Sequence, residues 1–280
     1  MKIKLIALDL DDTTLGTGGI LSEYNRSALI AAIESGMEMV VASGRNYHSL
    51  PSCITDIPGI RYAIVSNGAA VYDISKDKCL SRQYLPKSAA ELVLGELQKL
   101  ESCRAEVISD SIAYAPSDYL ADPLRFSPPT LSPHIVEYLQ TTRTPVEDFH
   151  TFAYENSHRL DCINLTFTSA ASRIQFQETI ASLTDELYLT SSIAHLLEIS
   201  NKNTGKGAGL RTLCEILNIP LSQTAACGNG DNDIDMLKSA HIGAAVENAT
   251  EDCKAASDVI IERNTENGVG KFIYKIISQQ

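Results

Sequence analysis

The chain has 280 residues, 44% of them hydrophobic, and a formal net charge of -12, which allows one large core or two modest ones. That charge argues against a nucleic-acid partner, because phosphate backbones are held by clustered Lys and Arg and the sequence has no such cluster. A small phosphorylated metabolite stays compatible if a metal ion and one or two cations gather locally. The seven cysteines lie far apart with no C-x-x-C pair and an odd total, which predicts reduced thiols and a cytoplasmic protein. The start runs directly into IKLIALDL without a basic region, apolar stretch and cleavage site. No apolar run approaches membrane-spanning length, so no membrane partner is expected. Oligomeric state has no signal in the sequence.

Residues 3–8 form a near-continuous apolar strand. SEYNRSALIAAIESG follows with Leu29, Ile30 and Ile33 at helical spacing, Ser22 placed to cap and Gly36 to stop. EMVVASG is a second strand, 49–54 a helical stretch, and YAIVSNG a third strand. This β-α-β-α-β order predicts an α/β fold, a Rossmann-like doubly wound parallel sheet with helices on both faces. The alternation resumes after about residue 205: GKGAGLRTLCEILNI and DNDIDMLKSA read as helices, and QTAACGNG, IGAAV and DVIIE as strands. Between lie period-two segments, CINLTFT and LYLTSSIAHLLEIS, around the helical ASRIQFQETIASL, with a Pro-rich loop DPLRFSPPTLSP. The expected organisation is a core of residues 1–83 plus 197–280 and an inserted α+β domain of 84–196.

Ligands of doubly wound sheets bind outside the carboxyl ends of the strands. The polar residues fall at those ends: Asp9 and Asp11 after the first strand, Ser43 after the second, Asn67 and Gly68 after the third, and Asn229 to Asp233 after the late strand. On an extended segment Asp9 and Asp11 point to one side and Leu10 to the core. Two carboxylates so close repel unless a cation or a shared proton relieves them. The oxygen-rich set Asp9, Asp11, Asn229 and Asp233 suits Mg2+ better than zinc, which prefers His and Cys. Alternatively, DLDDTT is only an acidic turn whose Asp and Thr side chains cap backbone groups.

Other readings fail on their own spacing. A calcium loop starting at Asp9 would end on Ile20, and one starting at Asp231 would have Met236 and Ile242 where Gly and Glu are needed. NTGKGAGL lacks the Ser or Thr after Lys206 that a nucleotide-binding phosphate loop requires. The six histidines show no metal-ligand spacing, and VVASGR is not a nucleophile elbow, having Val41 where Gly is needed. Lys206, where the second half of the sheet resumes, is either an exposed first-turn lysine or a cation for a phosphoryl group.

DLDDT, SGR, GKG and GNGDND, in that order, resemble the four motifs of the haloacid dehalogenase superfamily. IVSNGAAVYD with the inserted middle domain, and the tail VENATEDCKAASDVIIERNTENGV, resemble its Cof-type branch with an α+β cap. The resemblance implies a Mg2+-dependent phosphatase of small phosphomonoesters, sugar phosphates first, in which Asp9 attacks phosphorus to form an aspartyl-phosphate. Asp11 would be the acid and base, and Lys206 the fixed positive charge. Thr13, Ser43, Gly44, Arg45, Asn67, Gly68 and Asn232 would contact phosphate or substrate. Asp9, the Asp11 backbone carbonyl, Asn229 and Asp233 would hold the metal. Asp12 would cap the following turn. The family's fourth motif usually begins Gly-Asp, whereas Gly228 is followed here by Asn229, one negative charge fewer for the metal. A phosphosugar phosphotransferase or mutase, and a ligand-binding protein with a decayed metal site at Asn229, are the alternative functions.

Overall fold

The structure, a computed structural model, describes residues 2–100, 103–126 and 133–279. In chain order the elements are β1 (Leu5–Leu8), α1 (Glu23–Glu34), β2 (Glu38–Ala42), α2 (Ser52–Thr55), β3 (Tyr62–Val65), β4 (Ala70–Asp73), β5 (Lys78–Arg82), α3 (Lys87–Leu97), β6 (Cys103–Ser109), β7 (Ile112–Pro116) and α4 (Ser117–Ala121). Then come α5 (Pro133–Thr142), β8 (Arg143–Val146), α6 (Phe149–Glu155), β9 (Leu160–Phe167), α7 (Ala170–Leu183), β10 (Leu187–Thr190) and β11 (Leu196–Asn201). The last are α8 (Lys206–Leu217), β12 (Thr224–Gly228), α9 (Ile234–Ser239), β13 (Ile242–Val246), α10 (Glu251–Ala255), β14 (Val259–Ile261) and α11 (Gly268–Ser278). Of the Pro-rich segment expected as a loop, residues 127–132 lie outside the described ones.

The chain forms two compact units, one of Met1–Arg45, Leu50–Ser81 and Gly205–Gln280, the other of Asn46–Ser49 and Arg82–Thr204. Strands of the first unit lie in a sheet of order β14-β13-β12-β1-β2-β3-β4-β5, and every pair from β14 to β3 is parallel. β1 is central because its four residues, LIAL, are all buried and can be covered on both faces. From β1 the chain moves out through β2 and β3 on one side and returns to β12 on the other, so the carboxyl ends of β1 and β12 mark the topological switch point. Helix α1 packs on α11, and α8 on α9. Ser22 accepts the Asn25 amide and Gly36 takes a φ of 85° after α1, the start and stop expected there.

Two local expectations change. The helix expected over 49–54 shortens to α2, because Pro51 sits at its N-cap with extended φ/ψ. The sheet is also not wholly parallel: β4 turns back on β3 through Ser66, Asn67 and Gly68 as an antiparallel hairpin.

The second unit is a six-stranded sheet of order β10-β11-β9-β6-β7-β8, antiparallel except for β7 with β8. One face, with Val107, Ile163, Leu165 and Ile199, packs against Val93 and Leu94 of α3 and Ile180 of α7. This unit runs eight residues past the boundary expected at 196, because β11 pairs with β9 and belongs to its sheet. Glu106, Asn164 and Glu198 stand in register across β6, β9 and β11 and are all buried. Arg143 donates two hydrogen bonds to the Glu106 carboxylate, at 2.7 and 2.9 Å, and Asn164 donates a third at 2.9 Å.

Arg143→Met strands the Glu106 charge in a dry environment and is expected to cost about 3–5 kcal/mol of stability. Adding Glu106→Leu is expected to recover most of it, both read by urea unfolding. Equal losses in the single and double variants would show that Arg143 acts by packing alone.

Candidate active site

β1 ends at Leu8, and Asp9 keeps one ladder bond, its N–H donating to the Cys227 carbonyl of β12 at 3.0 Å. The chain then closes a tight turn through the Leu15 N–H to the Leu10 carbonyl, with Asp12 in the left-handed region at φ 58°. Asp9 therefore precedes the turn and Asp11 lies within it, instead of the two continuing a strand. Leu10 between them is buried, Asp9 is buried, and Asp11 is half exposed. Asp12 makes its mark through the backbone: Asp tolerates the left-handed conformation, and the Asp12 carbonyl accepts from Asn248 Nδ2 at 2.8 Å.

Lys206 is the first residue of α8, only 1% exposed, and its Nζ lies 2.6 Å from both Asp9 Oδ1 and Asp233 Oδ1. Asp233 Oδ2 accepts from the N–H groups of Asn229 and Gly230 at 2.9 and 3.0 Å. Gly228 permits this turn: a Cβ there would lie 2.4 Å from the Asp233 Cβ. Burial, then the Asp233 charge, raises the Asp9 carboxyl to about 7 against the opposing pull of Lys206. Burial alone would lower the Lys206 ammonium, but Asp233 and Asp9 outweigh it and hold it well above the usual lysine range. The exposed first-turn lysine considered from sequence is thus excluded.

The other expected residues join this network at its edges. Thr13 Oγ1 donates to Asn229 Oδ1 at 3.1 Å. Ser43 Oγ accepts the Arg45 N–H across Gly44, and the Ser43 carbonyl accepts the Asn67 N–H. Asn232 Nδ2 donates to Asn67 Oδ1 at 3.0 Å, and Gly68 abuts Gly205. Arg45 lays its fork on Asp11, Nε to Oδ2 at 2.8 Å and Nη2 to Oδ1 at 2.7 Å. Asp235 was missed from sequence: its Oδ2 accepts the Gly207 N–H at 3.0 Å in the first turn of α8, fixing the segment that carries Lys206. Its only sequence signal is an acid near the expected loop, which many surface acids share.

Two observations test whether Mg2+ suits these residues. Among the described residues the buried Asp9 Oδ2 has no hydrogen-bond partner, an acceptor in want of a cation. With both carboxylates ionised, Lys206 neutralises only one of them, and the buried cluster then carries a charge of -1. The donors are hard oxygens, as Mg2+ prefers. Among the described residues no group of three His, Cys, Asp or Glu side chains is arranged to hold a metal. With Asn229 in place, the set depends on an amide oxygen and a backbone carbonyl beside Asp9. Asp233 fits anchoring better than ligation, since its two oxygens already take three donors.

Lys206→Met leaves Asp9 and Asp233 facing each other without their cation, and about 3–5 kcal/mol of stability is expected to go with it. Urea unfolding checks this. Asp233→Asn in that background should restore part of the loss, and no restoration would mean the ammonium acts chiefly by filling space.

The sequence matches the model of the haloacid dehalogenase-like hydrolase family over residues 6–273. It is 30% identical to the phosphatase YwpJ of Bacillus subtilis, over 98% of this chain and all of that one. It is 26% identical to the 5-amino-6-(5-phospho-D-ribitylamino)uracil phosphatase YwtE of Bacillus subtilis, over 99% of each. A solved haloacid dehalogenase-like hydrolase from B. subtilis superposes with a TM-score of 0.82 at 30% identity, over 97% of this chain and 99% of the other. A buried Asp-Lys-Asp cluster at the switch point of a doubly wound sheet, in a chain matched almost end to end, leads to one assignment: the chain belongs to the haloacid dehalogenase-like hydrolases, in their Cof-type branch.

Proposed function

We propose that this enzyme is a phosphoric monoester hydrolase that uses Asp9 as nucleophile and Mg2+ as cofactor, acts on small phosphorylated metabolites in the cytoplasm, and favours sugar phosphates. The observation that carries the reading is the Asp9 carboxylate itself, buried, with Oδ1 on Lys206 and Oδ2 unpartnered among the described residues. The similarity to named phosphatases supports the reaction class.

In the proposed reaction Asp9 attacks phosphorus, the alcohol departs, and water then releases phosphate from the aspartyl-phosphate. Lys206 holds the nucleophile in place and offsets charge as the anionic phosphoryl group approaches. Asp11 leaves the Arg45 fork, takes up a proton from solvent, gives it to the departing oxygen and later takes one from the attacking water. Arg45, freed from Asp11, offers a planar pair of donors that fits a phosphoryl group as well as a carboxylate. Ser43 and Asn232 hydrogen-bond phosphoryl oxygens. Asp9 Oδ2, the Asp11 carbonyl and Asn229 Oδ1 would hold Mg2+, with Asp233 anchoring the loop behind them. Bound there, the ion would shield negative charge between nucleophile and substrate. The second unit, Arg82–Thr204, supplies substrate selection as a cap.

The test is phosphate release from p-nitrophenyl phosphate and a panel of sugar phosphates across a Mg2+ titration. Release should saturate with Mg2+ and vanish in Asp9→Asn, with that variant still folded by circular dichroism. Full activity in Asp9→Asn would refute the nucleophile. Asn229→Asp adds one charge where a unit charge is worth on the order of 1–4 kcal/mol. Calorimetry should therefore find Mg2+ bound at least about fivefold more tightly in Asn229→Asp. An unchanged affinity would remove Asn229 from the metal shell.

A further inference from the structure

The segment after β3 holds three consecutive left-handed residues, Ser66 at φ 49°, Asn67 at 50° and Gly68 at 85°. A non-glycine residue in that region costs on the order of 1–3 kcal/mol and persists only where its surroundings over-determine it. Here they do. The Ser66 N–H donates to the Arg45 carbonyl at 2.8 Å and the Asn67 N–H to the Ser43 carbonyl at 3.1 Å. The Asn67 carbonyl accepts the Gly205 N–H at 2.8 Å, and its side-chain Oδ1 accepts Asn232 Nδ2 at 3.0 Å. Gly68 presses so closely on Gly205 that a Cβ would lie 2.1 Å from the Gly205 carbonyl oxygen. One buried residue thus joins the loop after β2, the start of α8 just before Lys206, and the turn after β12.

We propose that Asn67 is a positioning residue that acts through Asn232, in place of the phosphate contact expected from the family resemblance. The geometry is that of an amide pair: by accepting one Nδ2 hydrogen, Asn67 Oδ1 fixes the plane of the Asn232 amide and so the direction of its second N–H. The backbone groups of Asn67 meanwhile hold Ser43 and Gly205 in place. The inference rests on the phosphatase reading and deepens it by naming what orients a phosphate-binding amide.

A double-mutant cycle on p-nitrophenyl phosphate hydrolysis with Mg2+ tests it. Asn67→Gly keeps the left-handed backbone and both main-chain hydrogen bonds while deleting the amide. It should lower kcat/KM about tenfold, the worth of one oriented hydrogen bond. Asn232→Ala should lose at least as much, and adding Asn67→Gly to it should cost less than about twofold. A smaller folded fraction, or a direct contact between Asn67 and phosphate, would multiply through in both backgrounds. The full loss in both backgrounds, or no loss in Asn67→Gly alone, overturns the inference. If the wild-type enzyme releases no phosphate, the phosphatase reading fails. The same cycle is then read by calorimetry on inorganic phosphate with Mg2+, where additive losses overturn the positioning role and non-additive losses uphold it.

Discussion

The ammonium of Lys206 lies 2.6 Å from two buried carboxylates, and the placement of the site depends on it. A cation and two anions removed from water carry desolvation penalties of several kcal/mol each, which only close pairing and extra hydrogen bonds can offset. The chain supplies both. Asp233 turns its second oxygen to two backbone N–H groups, and Asp9 stays attached to β12 through its own N–H. The end of β1, the first turn of α8 and the turn after β12 are thereby held to one another by charge as well as by the sheet. Among the described residues one oxygen, Asp9 Oδ2, is left without a donor. Burial makes such an oxygen costly unless a cation comes to face it, the place the proposed function gives to Mg2+.

Close backbone approach is the second constraint, and it explains where small residues stand. Asp233 can reach the N–H groups of Asn229 and Gly230 only because position 228 has no side chain to intervene. Gly68 and Gly205 are in contact for the same reason, which brings the segment after β3 against the start of α8. The chain spends conformational strain at Ser66 and Asn67 to make this junction, and the four hydrogen bonds around it show what the strain secures.

Much of this was legible in the sequence, and the remainder was hidden for physical reasons. The continuous apolar run of β1, the Ser22 cap, the Gly36 stop and the polar strand ends are local signals, and each follows from a few adjacent residues. Side-chain partners are not local. Nothing in SGR says that Arg45 will grip Asp11, 34 positions earlier, and the order of the motifs would serve equally well with Arg45 on a ligand. The row Glu106, Asn164 and Glu198 reads as the solvent face of alternating strands, yet it is buried, because Arg143 arrives from a distant strand to pair with it. The β3-β4 hairpin had a local signal, Asn67-Gly68 between two apolar runs, but only the structure shows that Ser66 joins them in the left-handed region.

On the proposed reading, the amide at Asn229 would change the strength of the metal site without changing its logic. Fully ionised, Asp9, Asp233 and Lys206 together carry a charge of -1, and an ionised carboxylate at 229 would make it -2. Asn229 Oδ1 already accepts from Thr13, and a carbonyl oxygen has a second lone pair, so it can still face a cation. What the amide withholds is Coulomb attraction, which acts on the metal's affinity. What it leaves intact is Asp9, its lysine and the loop that Asp233 anchors, on which the proposed attack depends. On this reading position 229 governs how much Mg2+ is needed, and Asp9 governs whether anything happens once it is there.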